Sequence, residues 1–301
     1  MENRRFAMTI ITEDLPNLNN IELKFKNTKY PQCKDINLPR LFFVALFVGS
    51  RGSGKTYSAS KLLKMYEHFG IFSKHIEVYQ RIILISPTQN ANPCFKALKN
   101  LNEDDIHEEY SDSLLLDIVD NIKEEKQKTD EYIKQLDVWK RFCKCKDVND
   151  MSHEDIFILH HMGFEAPIKP KYDKTVVNFI VLDDLVGSDA FKATGKSALT
   201  NLLLKCRHLG ISFLIMSQNL KAIPKSIRTN TSVFVIFKYG SKKIITEDLY
   251  EEVSNLTTIQ NFEMLYDYAT QDEHDSLIID FTQSRNSRFK RNWNQIIKIS
   301  E

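Results

Sequence analysis

The apolar run Leu41-Phe42-Phe43-Val44-Ala45-Leu46-Phe47-Val48 leads directly into Gly49-Ser50-Arg51-Gly52-Ser53-Gly54-Lys55-Thr56, and this junction decides the fold. The run predicts a buried strand, and the glycine-rich segment after it matches a phosphate-binding P-loop. Glycines let backbone N–H groups surround a phosphate, and the N-terminus of the following helix adds positive potential there. We therefore expect residues 49–57, Tyr57 included, to bind a nucleoside triphosphate, with Lys55 on its β- and γ-phosphates and the Thr56 hydroxyl on Mg²⁺.

Length and composition favour one α/β core with additions. The chain has 301 residues, 42% of them hydrophobic, and a net charge of +1. Its apolar runs are far shorter than the roughly eighteen residues that a membrane helix requires, and its start lacks a signal-type apolar region. Five scattered cysteines suit a reducing compartment better than a disulfide framework. We expect a soluble protein that is not exported and has no membrane partner.

Strand patterns alternate with helical patterns, which favours a mostly parallel central sheet flanked by helices. Residues 41–248 are expected to form this core, with further strands at 81–87, 176–182, 212–216 and 232–238. Residues 1–40 are expected to add strands, predicted at 6–11 and 21–25, to the edge of the core. Residues 249–301 are expected to form a helix-strand extension with a basic tail that contains Arg285, Arg288, Lys290 and Arg291.

A helical insertion is predicted at about residues 90–174. Apolar residues recur there mostly at steps of three or four, from Leu115 to Phe142, around a charged patch at residues 123–128. This spacing predicts one long amphipathic helix or two helices that cover the sheet. The alternative is that the apolar stripe docks another protein.

Polar residues at the ends of the later strands complete the predicted nucleotide site. Asp183 and Asp184 follow four apolar residues, as in a Walker B strand. The first carboxylate is expected to hold Mg²⁺ and the second to deprotonate the attacking water. Gln218 follows the next strand and is expected to sense the γ-phosphate, because ligands collect at the carboxyl ends of parallel strands. The alternative for Gln218 is a simple turn-forming role.

The charge distribution suggests an anionic ligand. No acidic residue lies between Asp189 and Glu247, where the basic residues are Lys192, Lys196, Lys205, Arg207, Lys221, Lys225, Arg228, Lys238, Lys242 and Lys243. These bases either bind an anion or pair with the acids that follow, from Glu247 to Asp280. Arg207 and Arg228 are the main candidates for an arginine that a neighbouring subunit supplies to the γ-phosphate. Each could instead be structural, and the arginines of the tail are weaker candidates for that task or for DNA contact.

Several motifs in this order resemble one family of viral ATPases. They are the P-loop, Ile-Val-Leu-Asp-Asp-Leu at 180–185, Cys-Arg-His-Leu-Gly-Ile-Ser at 206–212, Ser-Gln-Asn at 217–219, Ile-Pro at 223–224 and Ile-Arg-Thr-Asn at 227–230. The chain is similar, over about residues 41–238, to the DNA-packaging ATPases of large double-stranded DNA viruses or their virophages. These form the poxvirus-type branch of the FtsK/HerA superfamily.

The resemblance implies a RecA-like P-loop NTPase that hydrolyses ATP with Mg²⁺ and pumps double-stranded DNA into a preformed capsid. It implies a homo-oligomeric ring, a pentamer or hexamer, that contacts capsid vertex proteins in the host cytoplasm, at a viral factory, or in the virion. Residues 187–196 would face the ring channel, where Lys192 and Lys196 would touch phosphates independently of DNA sequence. Arg207 matches the arginine that precedes the sensor strand in the superfamily.

Two other functions remain open at the level of sequence. A small-molecule kinase would use the same P-loop, ignore DNA, and use the helical insertion as a lid. A structural component with vestigial hydrolysis is disfavoured because Lys55, Thr56, Asp183 and Asp184 are all present.

Overall fold

The computed structural model describes residues 30–87, 93–185, 188–191, 197–241, 243 and 245–298. Its strands are β1 (Gln32–Cys33), β2 (Val44–Val48), β3 (Ile71–Ser73), β4 (Ile76–Glu77), β5 (Tyr79–Ile85), β6 (Leu101–His107), β7 (Val176–Leu182), β8 (Ile211–Ser217), β9 (Val233–Phe237), β10 (Ser276–Asp280), β11 (Phe289–Arg291) and β12 (Gln295–Ile296). Its helices are α1 (Lys55–Phe69), α2 (Pro93–Lys96), α3 (Asp112–Phe142), α4 (His153–His161), α5 (Ala198–Leu209), α6 (Lys225–Arg228), α7 (Tyr250–Val253) and α8 (Ile259–Ala269).

A nine-stranded sheet organises these elements in the order β12-β11-β10-β9-β2-β8-β7-β5-β6. All pairs from β9 to β6 are parallel, and β10, β11 and β12 pair in antiparallel fashion. Strands β2, β8 and β9 are buried along their whole length. Continuous apolar strands of this kind are typical of a parallel sheet that is covered on both faces. The predicted α/β fold with a mostly parallel sheet is confirmed.

One apolar cluster packs on each face of the sheet. In β2, Val44, Leu46 and Val48 join the cluster under α3, α5 and α8, whereas Ala45 and Phe47 join the cluster under α1. This split follows from the period of two along a strand. The sheet therefore lies between two packed helical layers, and the P-loop emerges from its central strand, β2.

The insertion contains the long helix that its periodicity predicts. The first half of α3 buries Leu115, Ile118, Val119 and Ile122 in the sheet's apolar cluster, so this half covers the sheet. The insertion also supplies the edge strand β6, which we did not predict. Arg81 of β5 holds this strand, because its guanidinium pairs with Asp105 of β6 and with Glu125 of α3, each at 2.6 Å.

The C-terminal strands continue the main sheet, and the predicted basic tail is folded into it. The Lys290 side chain is 2% exposed and pairs with Asp280 at 3.0 Å. Arg291 pairs with Asp272 at 2.8 Å and also with Asp275. These two cations therefore serve the fold, so the predicted contact of Arg291 with DNA is not supported.

The N-terminal strands predicted at 6–11 and 21–25 lie outside the described residues. Within the described part, β1 pairs with β3, and with β4 these strands form a small separate sheet. No helix in the described part of the chain is long and apolar enough to cross a membrane.

Candidate nucleotide-hydrolysis site

The predicted nucleotide residues meet at the carboxyl edge of the parallel strands. Strand register places Val48 opposite Ser217, and Leu182 opposite Ile215. The P-loop after β2, the aspartates after β7 and Gln218 after β8 therefore emerge side by side. Strand β8 lies between the other two, so Gln218 stands between the P-loop and the carboxylates. Ligands bind at this edge of parallel α/β sheets.

The P-loop requires glycine for two different reasons. A Cβ at Gly49 would lie 2.7 Å from the Phe237 Cβ, so the loop passes too close to β9 for a side chain. Gly54 has φ +99° and forms the N-cap of α1, a conformation that residues with a Cβ rarely adopt. The hydroxyl of Ser53 is buried and has no hydrogen-bond partner among the described residues. The loop thus presents backbone N–H groups and a hydroxyl that suit a phosphate.

Lys55 is the cation of this loop. Its Nζ donates to the carbonyl oxygens of Gly49 at 2.8 Å and of Ser50 at 2.9 Å. Burial lowers the pKa of Lys55, and the charges of Asp183 and Asp184 oppose that shift. The ammonium group therefore lies between the phosphate-binding loop and the carboxylate pair, where it can neutralise γ-phosphate oxygens.

The two carboxylates have different surroundings. Asp183 is 5% exposed, and burial followed by the charge of Asp184 raises its pKa to about 6, although Lys55 and the Ser86 hydroxyl counteract this. A buried carboxylate near a second carboxylate is the kind of group that a divalent cation stabilises in its ionised form. The buried position of Asp183 agrees with its predicted role as the metal-side residue.

Asp184 is fixed by Gln218. The Gln218 Nε2 donates to Asp184 Oδ1 at 3.0 Å, and Asp184 itself has φ +54°. An amide that holds one carboxylate oxygen leaves the other free to accept a proton from water. The structure thus brings the predicted base and the predicted sensor into direct contact.

Thr56 and Asp183 fit a Mg²⁺ ion, because both offer the hard oxygen atoms that this ion prefers. The orphaned Ser53 hydroxyl and the N-terminus of α1, which runs for 15 residues, fit the phosphates that would accompany the ion. The residues present therefore fit Mg²⁺ with a triphosphate. Arg51 and Tyr57 are exposed at the mouth of the loop.

Arg207 lies at the opposite, amino edge of the sheet. It is exposed in the last turn of α5, just before β8 begins at Ile211. Strand β8 separates this position from Gln218 by roughly 20 Å, at about 3.3 Å per residue. Arg207 therefore cannot reach the nucleotide site of its own chain, so a catalytic role for this arginine would have to be in a neighbouring subunit.

Arg228 also lies at the amino edge, on α6, but it is largely buried. Its side chain is 13% exposed and faces the 9% exposed Glu252, with Nε 3.8 Å from Oε1. Burial raises the pKa of Glu252, and the charge of Arg228 opposes this. The guanidinium thus faces a carboxylate of its own chain, although its Nε has no hydrogen-bond partner among the described residues. The predicted finger role of Arg228 is not supported by this position.

Part of the basic stretch pairs internally as well. Lys221 contacts Asp248 at 3.3 Å, and Lys225 contacts Glu251 at 2.7 Å. The alternative interpretation, in which these bases pair with later acids, is therefore correct for these two lysines and for Arg228. Lys205 and Arg207 are exposed on α5. The predicted channel residues Lys192 and Lys196, and also Lys242, lie outside the described residues.

Sequence reasoning missed two residues at the site. Ser86 follows β5 at the carboxyl edge, and its hydroxyl holds Asp183. Tyr239 follows β9, and its hydroxyl donates to the Gln218 carbonyl at 3.0 Å. A polar residue directly after an apolar run was the available signal for Ser86, whereas nothing in the sequence connects Tyr239 with Gln218.

Residues 158–282 match the model of the family described as the poxvirus A32 protein. This match confirms, over those residues, the resemblance to the poxvirus-type ATPases. It includes Asp183, Asp184 and Gln218, and the P-loop lies outside it. No curated protein matches the chain.

Several solved structures are similar to the chain. The genome packaging NTPase B204 from Sulfolobus turreted icosahedral virus 2, in complex with ATP-gammaS, is 12% identical with a TM-score of 0.43, over 83% of this chain and 96% of that chain. EssC (ATPases 2 and 3) from Geobacillus thermodenitrificans is 14% identical with a TM-score of 0.45, over 79% of this chain and 37% of that chain. The cytoplasmic domain of the type VII secretion ATPase EccC from Thermomonospora curvata is 16% identical with a TM-score of 0.40, over 80% and 24% respectively.

Proposed function

We propose that this chain is a viral DNA-packaging ATPase, which hydrolyses ATP with Mg²⁺ to move double-stranded DNA into a preformed capsid. The observation that carries the proposal is the convergence of Lys55, Thr56, Asp183, Asp184 and Gln218 at one edge of the sheet. The match to the poxvirus A32 family supports genome packaging as the purpose of the hydrolysis.

The residues divide the chemistry between them. The P-loop backbone and Lys55 bind the phosphates, and Thr56 with Asp183 would hold Mg²⁺, which supplies neutralising charge to the β- and γ-oxygens. Asp184 accepts the proton of the attacking water, and its contact with Gln218 fixes the direction of the carboxylate. Gln218 lies between the P-loop and Asp184, so it can report whether a γ-phosphate is present.

We propose that the subunits form a ring of five or six, in which the amino edge of one subunit faces the carboxyl edge of the next. The exposed position of Arg207 at the amino edge supports this arrangement. There it would add positive charge to the γ-phosphate of the neighbour as hydrolysis proceeds. We further propose that the ring binds DNA phosphates independently of sequence, engages capsid vertex proteins, and works in the host cytoplasm.

ATP hydrolysis measured across protein concentration tests the motor. Wild type, Lys55→Ala and the control Lys61→Ala, a lysine further along α1, are compared with and without linear double-stranded DNA at low and high salt. We expect DNA to stimulate hydrolysis cooperatively, the stimulation to fade with salt, and only Lys55→Ala to abolish activity. Hydrolysis that depends on Lys55 but ignores DNA and concentration would favour a small-molecule kinase instead.

Mixed subunits test the role of Arg207. Arg207→Ala subunits added to wild type should suppress activity more than in proportion to their share, because each would disable a neighbour's site. Lys205→Ala, which changes another exposed cation of α5, should reduce activity in proportion at most. Strict proportionality for Arg207→Ala would reject action between subunits at this position.

A further inference from the structure

A chain of hydrogen bonds connects helix α8 to the predicted catalytic base. The Tyr266 hydroxyl donates to the Phe237 carbonyl at 3.3 Å and accepts from the Tyr239 N–H at 2.8 Å. The Tyr239 hydroxyl donates to the Gln218 carbonyl at 3.0 Å, and the Gln218 amide donates to Asp184 at 3.0 Å. The site of hydrolysis is thus tied to a residue that follows β9, on the far side of the P-loop strand.

Gln218 lies outside the hydrogen bonds of the sheet, so its orientation depends on other contacts. Ser217 is the last residue of β8 in register with β2, so Gln218 lies just beyond the sheet ladder. The Ser217 side chain fixes the turn that follows, since its Oγ donates to the backbone carbonyl of Asn219 at 3.0 Å and accepts from the Asn219 N–H at 3.2 Å. Neither of these bonds involves the Gln218 carbonyl.

The Tyr239 hydroxyl reaches that carbonyl across the end of β2. Strand β2 lies between β8 and β9, so these two strands share no ladder hydrogen bonds. The long tyrosine side chain spans this gap. Its ring is partly buried against the apolar cluster under α3, α5 and α8, and its backbone is held by Tyr266, so the hydroxyl has a defined position.

We infer that Tyr239 is a positioning residue for ATP hydrolysis, which orients the Gln218 peptide so that the amide holds Asp184 in its productive direction. This inference rests on the proposed function of the site. Tyr239 acts through Gln218 alone, and it contacts neither the P-loop lysine nor the phosphates in this role. Loss of the Tyr239 hydroxyl should therefore lower kcat and leave the KM for ATP within about twofold of the wild-type value.

The experiment compares Tyr239→Phe with Tyr250→Phe. Tyr250 is a matched control because its hydroxyl also donates to a backbone carbonyl, that of Thr257 at 3.1 Å, and its ring packs against the same apolar cluster. Removing one hydrogen bond of about 1.4 kcal/mol changes a rate about tenfold. We expect kcat to fall about tenfold in Tyr239→Phe and to stay at the wild-type value in Tyr250→Phe, with thermal unfolding recorded for both.

A double variant separates positioning from general destabilisation. In a Gln218→Ala background the Tyr239 hydroxyl still meets the backbone carbonyl but has no amide to orient, so Tyr239→Phe should cost no further activity there. An equal loss in both backgrounds, or wild-type kcat in Tyr239→Phe, would overturn the inference. If Lys55→Ala is inactive while Tyr239→Phe behaves as wild type, only this inference fails. If Lys55→Ala retains full activity, the proposed function fails instead.

Discussion

Gly49 is the position at which the nucleotide site is most sensitive to side-chain size. A Cβ added there would lie 2.5 Å from the Ser53 Oγ and 2.7 Å from the Phe237 Cβ. The Ser53 hydroxyl can rotate away, but the Phe237 Cβ is fixed to the backbone of β9, in the middle of the sheet. Carbon atoms in contact prefer about 3.5–4.0 Å, so Gly49→Ala must push the P-loop away from β9 by about 1 Å.

This displacement sets the expected magnitude. Overpacking a buried position costs about 1–3 kcal/mol in the free energy of unfolding. A shift of about 1 Å in a group that positions substrate costs about a hundredfold in rate. We therefore expect Gly49→Ala to lower kcat for ATP hydrolysis about a hundredfold, far more than its modest effect on stability would suggest.

Gly52→Ala is the matched control for this prediction. A Cβ at Gly52 meets nothing within 4 Å, although φ is +80°, so only the backbone conformation is strained. That strain costs about 1–2 kcal/mol, and the loss of activity should be smaller than in Gly49→Ala. Steady-state hydrolysis at saturating ATP, with thermal unfolding of each variant, checks the expected losses in Gly49→Ala and in Gly52→Ala. Wild-type kcat in Gly49→Ala, or a larger loss in Gly52→Ala, would refute the argument from loop packing.

Two further predictions concern stability. The pKa of Asp183 is raised to about 6 in the fold, so the contribution of this one carboxyl to the stability of the metal-free protein should fall as pH rises from about 4 to 6. Asp183→Asn should remove this loss and raise the free energy of unfolding above pH 6 by up to roughly 3 kcal/mol. An equal gain at pH 4, in thermal unfolding without Mg²⁺, would contradict it. Arg81→Met should cost about 3–5 kcal/mol because it leaves the buried carboxylate of Asp105 unpaired. Lys134 forms an exposed pair with Glu154 at 2.8 Å, and its loss in Lys134→Met should cost under about 1 kcal/mol in denaturant titrations. Equal losses in the two variants would rule out a special role for the buried network.

The parts of the site that the sequence predicted share one physical basis. A strand buried on both faces is mostly apolar, and the polar residues that end its apolar run therefore mark the edge where ligands bind. Asp183 and the P-loop satisfy this condition directly, and Gln218 comes one residue after Ser217, the first polar residue beyond the apolar run of β8. Each signal, an apolar run and the polar residue after it, spans only a few residues of the chain, so no knowledge of distant contacts was needed.

The parts that the sequence did not reveal depend on distant partners. Strand β6 is an edge strand with exposed acidic residues, and its anchor is Arg81, 24 residues earlier in the chain. Lys290 is predicted from sequence to lie in a basic tail, whereas in the structure it is buried against Asp280 in the sheet. The bond from Tyr239 to Gln218 joins residues that follow two non-adjacent strands. None of these contacts leaves a periodic pattern in the sequence.

The two edges of the sheet have different consequences for function. At the carboxyl edge, one chain brings Lys55, Asp183, Asp184 and Gln218 together, so nucleotide binding can be a property of a single subunit. At the amino edge, Arg207 is exposed and roughly 20 Å from its own site. In the proposed ring its positive charge would stabilise the transition state of ATP hydrolysis in the neighbouring subunit. The rate of hydrolysis would then depend on how two subunits are packed. Any force on DNA that changed this packing would therefore change the rate. A translocating motor requires such a coupling between DNA and hydrolysis.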